Sequence, residues 1–243
     1  MQFPVRRAVP PAARAAVSLA ACAAMAGTAL AAVPASAATT TIHRDNAAGA
    51  PYAGNWQIST IGPLKFSIVF LGATITATCE DAKLNGAVTS TGTGTLANGS
   101  VGACTASNGQ TSPAITFDNL QGVGGQVTHA PVQGGRDGIL AVTGNLNFKL
   151  EGEFLGRVRT CYYGFRTGNS EGASFDIYNG DNPRRPVPSS NDVQGTLANI
   201  TLVKLPGSDW LCGSNGTGSG QAVARGETVA GSGVFDQRLY VTS

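Results

Sequence analysis

Charge is scarce in this sequence: Asp, Glu, Lys and Arg make up 12% of its 243 residues, about half the usual ~25% of a soluble domain. A disordered chain couples high net charge to low hydrophobicity, and at 42% hydrophobic residues with a formal charge of +2 neither condition is met. Histidine is nearly missing, with only His43 and His129, and no two cysteines stand close together, so the ligand spacing of a zinc site is absent. Beyond Ala32 no apolar stretch approaches the ~20 residues of a spanning helix. No window carries the 3.6-residue periodicity of a long amphipathic helix either. These absences argue against a metalloprotein, an integral membrane protein of the helical kind and an all-α domain, and no cofactor or metal is expected.

What is present begins with an export signal. Arg6, Arg7 and Arg14 precede an Ala-dominated apolar run from Ala15 to Ala32, and Ala35-Ser36-Ala37 has the small-residue pattern of a signal-peptidase site. The reading is a signal peptide over 1–37. Arg6-Arg7 also admits a twin-arginine signal and Leu19–Cys22 a lipoprotein box, both weaker readings because Ala-Val-Pro-Pro follows the arginines and the apolar run continues past Cys22. Three of the sixteen basic residues and none of the fourteen acidic ones fall in this segment, leaving a net charge of −1. No general affinity for nucleic acid follows from that balance. The expected address is extracellular, either secreted or held at the cell surface.

The rest of the chain states one series of landmarks twice. Thr78-Cys79, Gly94-Thr95-Leu96-Ala97-Asn98, Cys104 and Ser107-Asn108-Gly109 are answered by Thr160-Cys161, Gly195-Thr196-Leu197-Ala198-Asn199, Cys212 and Ser214-Asn215-Gly216. Phe70-Leu71-Gly72 is matched by Phe154-Leu155-Gly156, and Phe117-Asp118 by Phe235-Asp236, in the same order. A colinear series with an identical pentapeptide reads as an internal duplication, with a first β repeat over 38–138 and a second over 139–243 in one continuous unit. Four cysteines allow three pairings. If each repeat is one structural unit, the bonds are Cys79 with Cys104 and Cys161 with Cys212, in keeping with an oxidising compartment.

Strand signals dominate throughout. Trp56, Ile58 and Thr60 alternate with polar residues, Leu64–Leu71 is nearly continuous apolar sequence, and Ala73–Cys79 and Ala87–Leu96 are rich in Thr, Ile and Val. Asn85-Gly86 and Asn98-Gly99 read as turns, and Gln121–Gly138 as a Gly-rich connector. In Ile139–Phe154, Leu146, Phe148 and Leu150 face one way and Asn145, Asn147, Lys149, Glu151 and Glu153 the other, the pattern of an antiparallel sheet with one wet face. Val158–Phe165, Ser174–Tyr178, Leu197–Leu205 and Val234–Val241 complete the set, with a loop over Asn179–Asn191. The fold class is all-β: an antiparallel sandwich or barrel, pseudo-symmetric through the duplication.

With its Ala-rich export signal, tandem halves with one cysteine pair each and terminal Leu239-Tyr240-Val241-Thr242, the chain resembles a group of exported actinobacterial proteins of unassigned function. The resemblance implies a β fold and an extracellular address, and carries no catalytic residue.

No motif supplies an active site. Gly168-Asn169-Ser170-Glu171-Gly172 has the letters of a nucleophile elbow, but both histidines precede Ser170 and no helix follows. Glu151 and Glu153 point the same way from one strand, whereas paired-carboxylate hydrolysis grips a sugar from two sides. Asp176, Asn179, Asp181 and Asn182 lack the spacing of a calcium loop. Trp210, two residues from Cys212, is expected to cover that disulfide. The candidate binding surface lies where the repeats differ: fourteen residues separate Thr-Cys from the pentapeptide in the first and thirty-three in the second. The longer segment brings Tyr162, Tyr163, Arg166, Tyr178, Arg184 and Arg185, aromatic faces for sugar rings and guanidinium groups for anions. The expected function is a non-enzymatic structural or adhesive role at the cell envelope. Its alternative is a module binding an envelope glycan or anionic polymer, and a secreted hydrolase stands third.

Overall fold

Alternation is visible in the burial of β3 (Leu64–Phe70), where Leu64, Phe66, Ile68 and Phe70 are buried and Lys65 and Val69 exposed. The same logic builds the whole computed structural model, which describes residues 39–109, 113–118, 120–154, 156–167 and 170–243. It holds sixteen antiparallel strands and no helix among the described residues. The expected export signal over 1–37, with Cys22, and Gly168-Asn169 lie outside the described residues.

Eight strands close a barrel-like ring. In pairing order they are β2 (Gly54–Thr60), β5 (Ala82–Val88), β6 (Thr93–Val101), β9 (Gly124–His129), β10 (Gly138–Thr143), β13 (Ser170–Tyr178), β14 (Val193–Lys204) and β15 (Cys212–Gly226), which returns to β2. The sequence β2-β5-β6-β9 and the sequence β10-β13-β14-β15 make the same succession of pairings, and the two identical pentapeptides hold equivalent places on β6 and β14. Each places its Gly and Leu toward the interior, and each meets a register shift just after its Leu, at Ala97 against β5 and at Ala198-Asn199 against β15. That shift is a β-bulge, which bends a strand and helps close a barrel.

The hairpin of β14 and β15 is longer than the ring requires. Ala222–Gly226 pairs with β2, while the earlier part of β15, from Cys212 to Ser219, pairs with β3. Likewise Gln194–Thr196 pairs with β13 and Thr201–Lys204 with β12 (Arg157–Thr167). The extra length carries a second, open array: β3 continues to β4 (Ala73–Cys79) and β7 (Cys104–Ala106), and β12 to β11 (Asn147–Phe154) and β8 (Ala114–Asp118). Its core is an aromatic cluster of Phe66, Phe148, Tyr163 and Phe165, where burial pushes the Tyr163 phenol up to about 12. At the far end of the ring β1 (Thr41–Arg44) pairs with β16 (Gln237–Thr242), and Ile42, Leu239 and Val241 form a smaller core with Tyr52, Ile177 and Val193. Because β15 serves strands from both halves of the sequence, the described residues form one compact unit.

Two disulfides are formed, Cys79–Cys104 and Cys161–Cys212, and all four cysteines are buried. The first joins residues directly opposite in the β4–β7 ladder. The second spans from β12 to the start of β15, past the β14 strand that lies between them.

Several local expectations fail for identifiable reasons. Asn85-Gly86 and Asn98-Gly99 are not turns but face each other across the bulge of β5 and β6, and the chain reverses instead at Thr89–Gly92. The Gly-rich connector contains β9, and the long Ile139–Phe154 run breaks at Gly144, whose φ of 92° ends β10. Most instructive is β15, whose Gly- and Ser-rich sequence carries no strand signal. It is a central strand hemmed in on both edges, and a Cβ at Gly213 or Gly216 would come within 2.3 Å of Val69 O or 2.6 Å of Ser67 O. Glycine marks close backbone approach there, not a loop.

One ion pair, buried on its carboxylate side, ties the ring to its end loop. Asp192, with 7% of its side chain exposed, accepts from Arg225 Nε at 3.0 Å and from its second terminal nitrogen at 2.6 Å. Burial opposes the carboxylate's charge, but the Arg225 and Ser190 hydrogen bonds outweigh it and hold the Asp192 pKa below its ordinary value. A depressed folded-state pKa contributes stability above the unfolded value of about 4 and loses it as pH falls through the folded one. Asp192→Asn should therefore lower stability by about 1 kcal/mol near pH 7, discounted because the guanidinium is half in water. Urea melts of the variant and the parent should converge as pH falls below the ordinary carboxylate range; a constant gap at all pH values would contradict the linkage.

Candidate functional site

The outer face of the β8-β11-β12 array gathers the polar residues. Register sets Asp118, Asn147 and Gly164 in one row across three strands, and Thr116, Lys149 and Tyr162 in the next. Adjacent strands are ~4.8 Å apart, so each row is a short ladder of side chains on one surface. Arg166, two residues beyond Gly164 on the same face, pairs with Glu171 at 3.1 Å. Lys149 bonds Glu151 at 2.9 Å, and Thr160 donates to Glu151 at 3.3 Å. That pairing lowers the Glu151 pKa and raises that of Lys149, so both stay ionised.

A turn from Leu205 to Ser208 forms one wall. The Tyr162 N–H donates to Ser208 Oγ at 2.8 Å, and Leu205 N–H donates back to the Tyr162 carbonyl at 2.9 Å. Gly207, at φ 87°, lays its backbone beside the Tyr162 ring. Gly164 keeps the floor open, since a Cβ there would sit 2.9 Å from Asn147 Oδ1. The result is an open groove of about 650 Å³ between Asp118, Asn147, Tyr162, Arg166 and Glu171. An aromatic face ringed by amide, carboxylate and guanidinium groups suits a hydroxyl-rich ligand, with stacking for the ring and directional hydrogen bonds for its edge.

The six residues singled out from the sequence are not one surface. Tyr162 and Arg166 share the groove. Tyr163 points the other way, fully buried, with its hydroxyl donating to Gly213 O at 3.1 Å, so it leaves the candidate surface. Tyr178 stands opposite Gln194 at the other end of β14, roughly 20 Å from the groove by strand rise. Arg185 is committed within its own loop: its guanidinium donates to Ser190 O and Asn182 O, both at 2.8 Å, and to Pro188 O. Arg184 is exposed on that loop. Asp118, Asn147 and Glu171 join Tyr162 at the groove without standing out in the sequence; the period-two stripe of Asn145–Glu153 was the available signal for Asn147, while Asp118 and Glu171 arrive through the pairing of β8 and β13.

The remaining candidates have structural tasks. His43 bonds Gly49 O at 2.7 Å and Thr242 Oγ1 at 3.0 Å. Asn179 brackets the Val241 backbone, Asn182 reaches Gly135 O and Asp137, and Asp176 pairs with Arg136. Among the described residues no group of three His, Cys, Asp or Glu side chains could hold a metal ion. Trp210 does not cover its disulfide: it is 79% exposed, because the 206–211 turn projects it away from the sheet. Every described carboxylate with a displaced pKa, Glu151, Asp192, Asp209, Glu227 and Asp236, is displaced downward. No helix among the described residues is long and apolar enough to cross a membrane.

Fold and site together define an all-β, disulfide-bonded protein with an open polar groove on one outer sheet face. Comparison with known proteins finds no matching family model, no matching curated protein and no matching solved structure.

Proposed function

We propose that this protein is an exported adhesive component of the cell envelope, and that the groove over Tyr162 is where it holds an envelope glycan. The observation that carries the reading is the conjunction of an aromatic face with Asp118, Asn147, Arg166 and Glu171 around one open groove. The two disulfides in a β-rich fold are compatible with life outside the cell, in keeping with the export signal expected over 1–37.

The test is retention of the purified protein on washed cell walls and its competition by soluble wall polysaccharide. Tyr162→Ala removes the stacking face and should weaken retention about tenfold. Arg184→Ala, on the distant loop, should leave it unchanged. Equal retention of the Tyr162 variant at low salt, or loss with Arg184→Ala alone, would move the contact away from the groove.

A further inference from the structure

We propose that the eight-stranded ring encloses a second binding site, for a small uncharged lipophilic molecule about the size of benzene. This site is separate from the Tyr162 groove and does not rest on the glycan reading. Eight strands leave an interior that side chains can just fill, or one that holds a single small ligand. Here the middle is unfilled. A cavity of about 110 Å³ lies within the ring, and a second of about 70 Å³ continues from it, the two sharing Ile58, Leu84, Phe175, Gly195 and Ala222 as walls.

The hollow follows from sequence. Gly94 and Gly125 pair directly across β6 and β9, and Gly195 stands opposite Ala222 across β14 and β15, so the wall lacks side chains where larger ones would close the interior. Inward-pointing Trp56, Ile58, Leu84, Leu140 and Phe175 are consequently only partly buried. Packing resumes at both ends, under Ile42, Leu239 and Val241 on one side and around Phe66, Leu146 and Phe165 on the other. Protein interiors are ordinarily close-packed; two adjoining voids in the middle of the ring, larger than the one of about 40 Å³ in the open array, mark a place kept open.

The lining fixes the chemistry. Of the polar side chains at the walls, buried Gln194 already bonds Val187 at both its amide oxygen and nitrogen, and Thr60 Oγ1 accepts from Ala82 N–H. Water inside would find few partners, and an apolar cavity near this size stays dry and takes up benzene or xenon. Charge is excluded because no ionisable side chain lines either cavity.

The experiment uses benzene as the probe and the whole purified protein. Near-saturating benzene should raise Tm by roughly 3 °C and shift the methyl resonances of Ile58, Leu84 and Leu140. Ala224→Leu, which fills the cavity from β15, should raise Tm without ligand and abolish the benzene response. No Tm rise and no methyl shift in the parent overturns the proposal, as does an undiminished response in the variant. If the variant does not fold, the parent's methyl map decides: shifts confined to the ring interior support the site, and absent or scattered shifts refute it.

Discussion

Phe148→Ala should be among the most damaging single substitutions in the chain, lowering stability by about 3–5 kcal/mol and Tm by roughly 10 °C or more. Phe148 is completely buried, and its ring centre lies 4.8 Å from Phe66, 5.5 Å from Phe165 and 5.8 Å from Tyr163. Those partners come from β3 and β12, on opposite sides of the β14–β15 hairpin, so the lost ring is the common contact between the two flanks of the open array. The surrounding strands are hydrogen-bonded on both edges and have little freedom to collapse into the space, which places the cost toward the upper part of the range. Phe148→Leu should cost markedly less, because most of the volume returns. Paired guanidinium melts measure the difference; a Phe148→Ala loss under about 1.5 kcal/mol would mean that the cluster is not the principal core.

Such a core was partly legible beforehand. The period-two run of Leu146, Phe148 and Leu150 against Asn147, Lys149 and Glu151 announces a strand with one wet face, and that is how β11 sits. Leu64–Phe70 declares itself in the same way. The closure of the ring was not legible, because it depends on Ala222–Gly226 finding Trp56–Thr60, a pairing between residues more than 160 positions apart on a strand with scarcely any large apolar side chain. Glycines that read as turns are instead the price of a crowded sheet. The groove was half visible: Tyr162 and Arg166 stand out as residue types, but their partner Asp118 arrives only because β8 lies beside β11. The arginine pair misled for the opposite reason, since sequence shows a guanidinium and not the carbonyls that already occupy it.

Loss of the Cys161–Cys212 bond should be as costly as loss of Phe148, and should exceed loss of Cys79–Cys104. In the chain-entropy account, closing a separation of 51 residues stabilises by about 4 kcal/mol and closing one of 25 by about 3.5 kcal/mol. That margin is small, and position widens it. Cys79 and Cys104 are register partners on β4 and β7, at the outer edge of the array, where the ladder itself already holds them together. Cys161 and Cys212 have no ladder between them, and their bond fastens β12 to the first residue of β15, the strand that joins the ring to the open array. The pairs should be replaced together, Cys161→Ala with Cys212→Ala and Cys79→Ala with Cys104→Ala, so that no free thiol confuses the comparison. In thermal melts under oxidising conditions both variants should lose roughly 8–15 °C, the Cys161/Cys212 variant more. Non-reducing peptide maps of the parent should return the two within-half linkages alone. An equal or reversed order of melting would show that the β15 junction is held by its hydrogen bonds and packing without help from the disulfide.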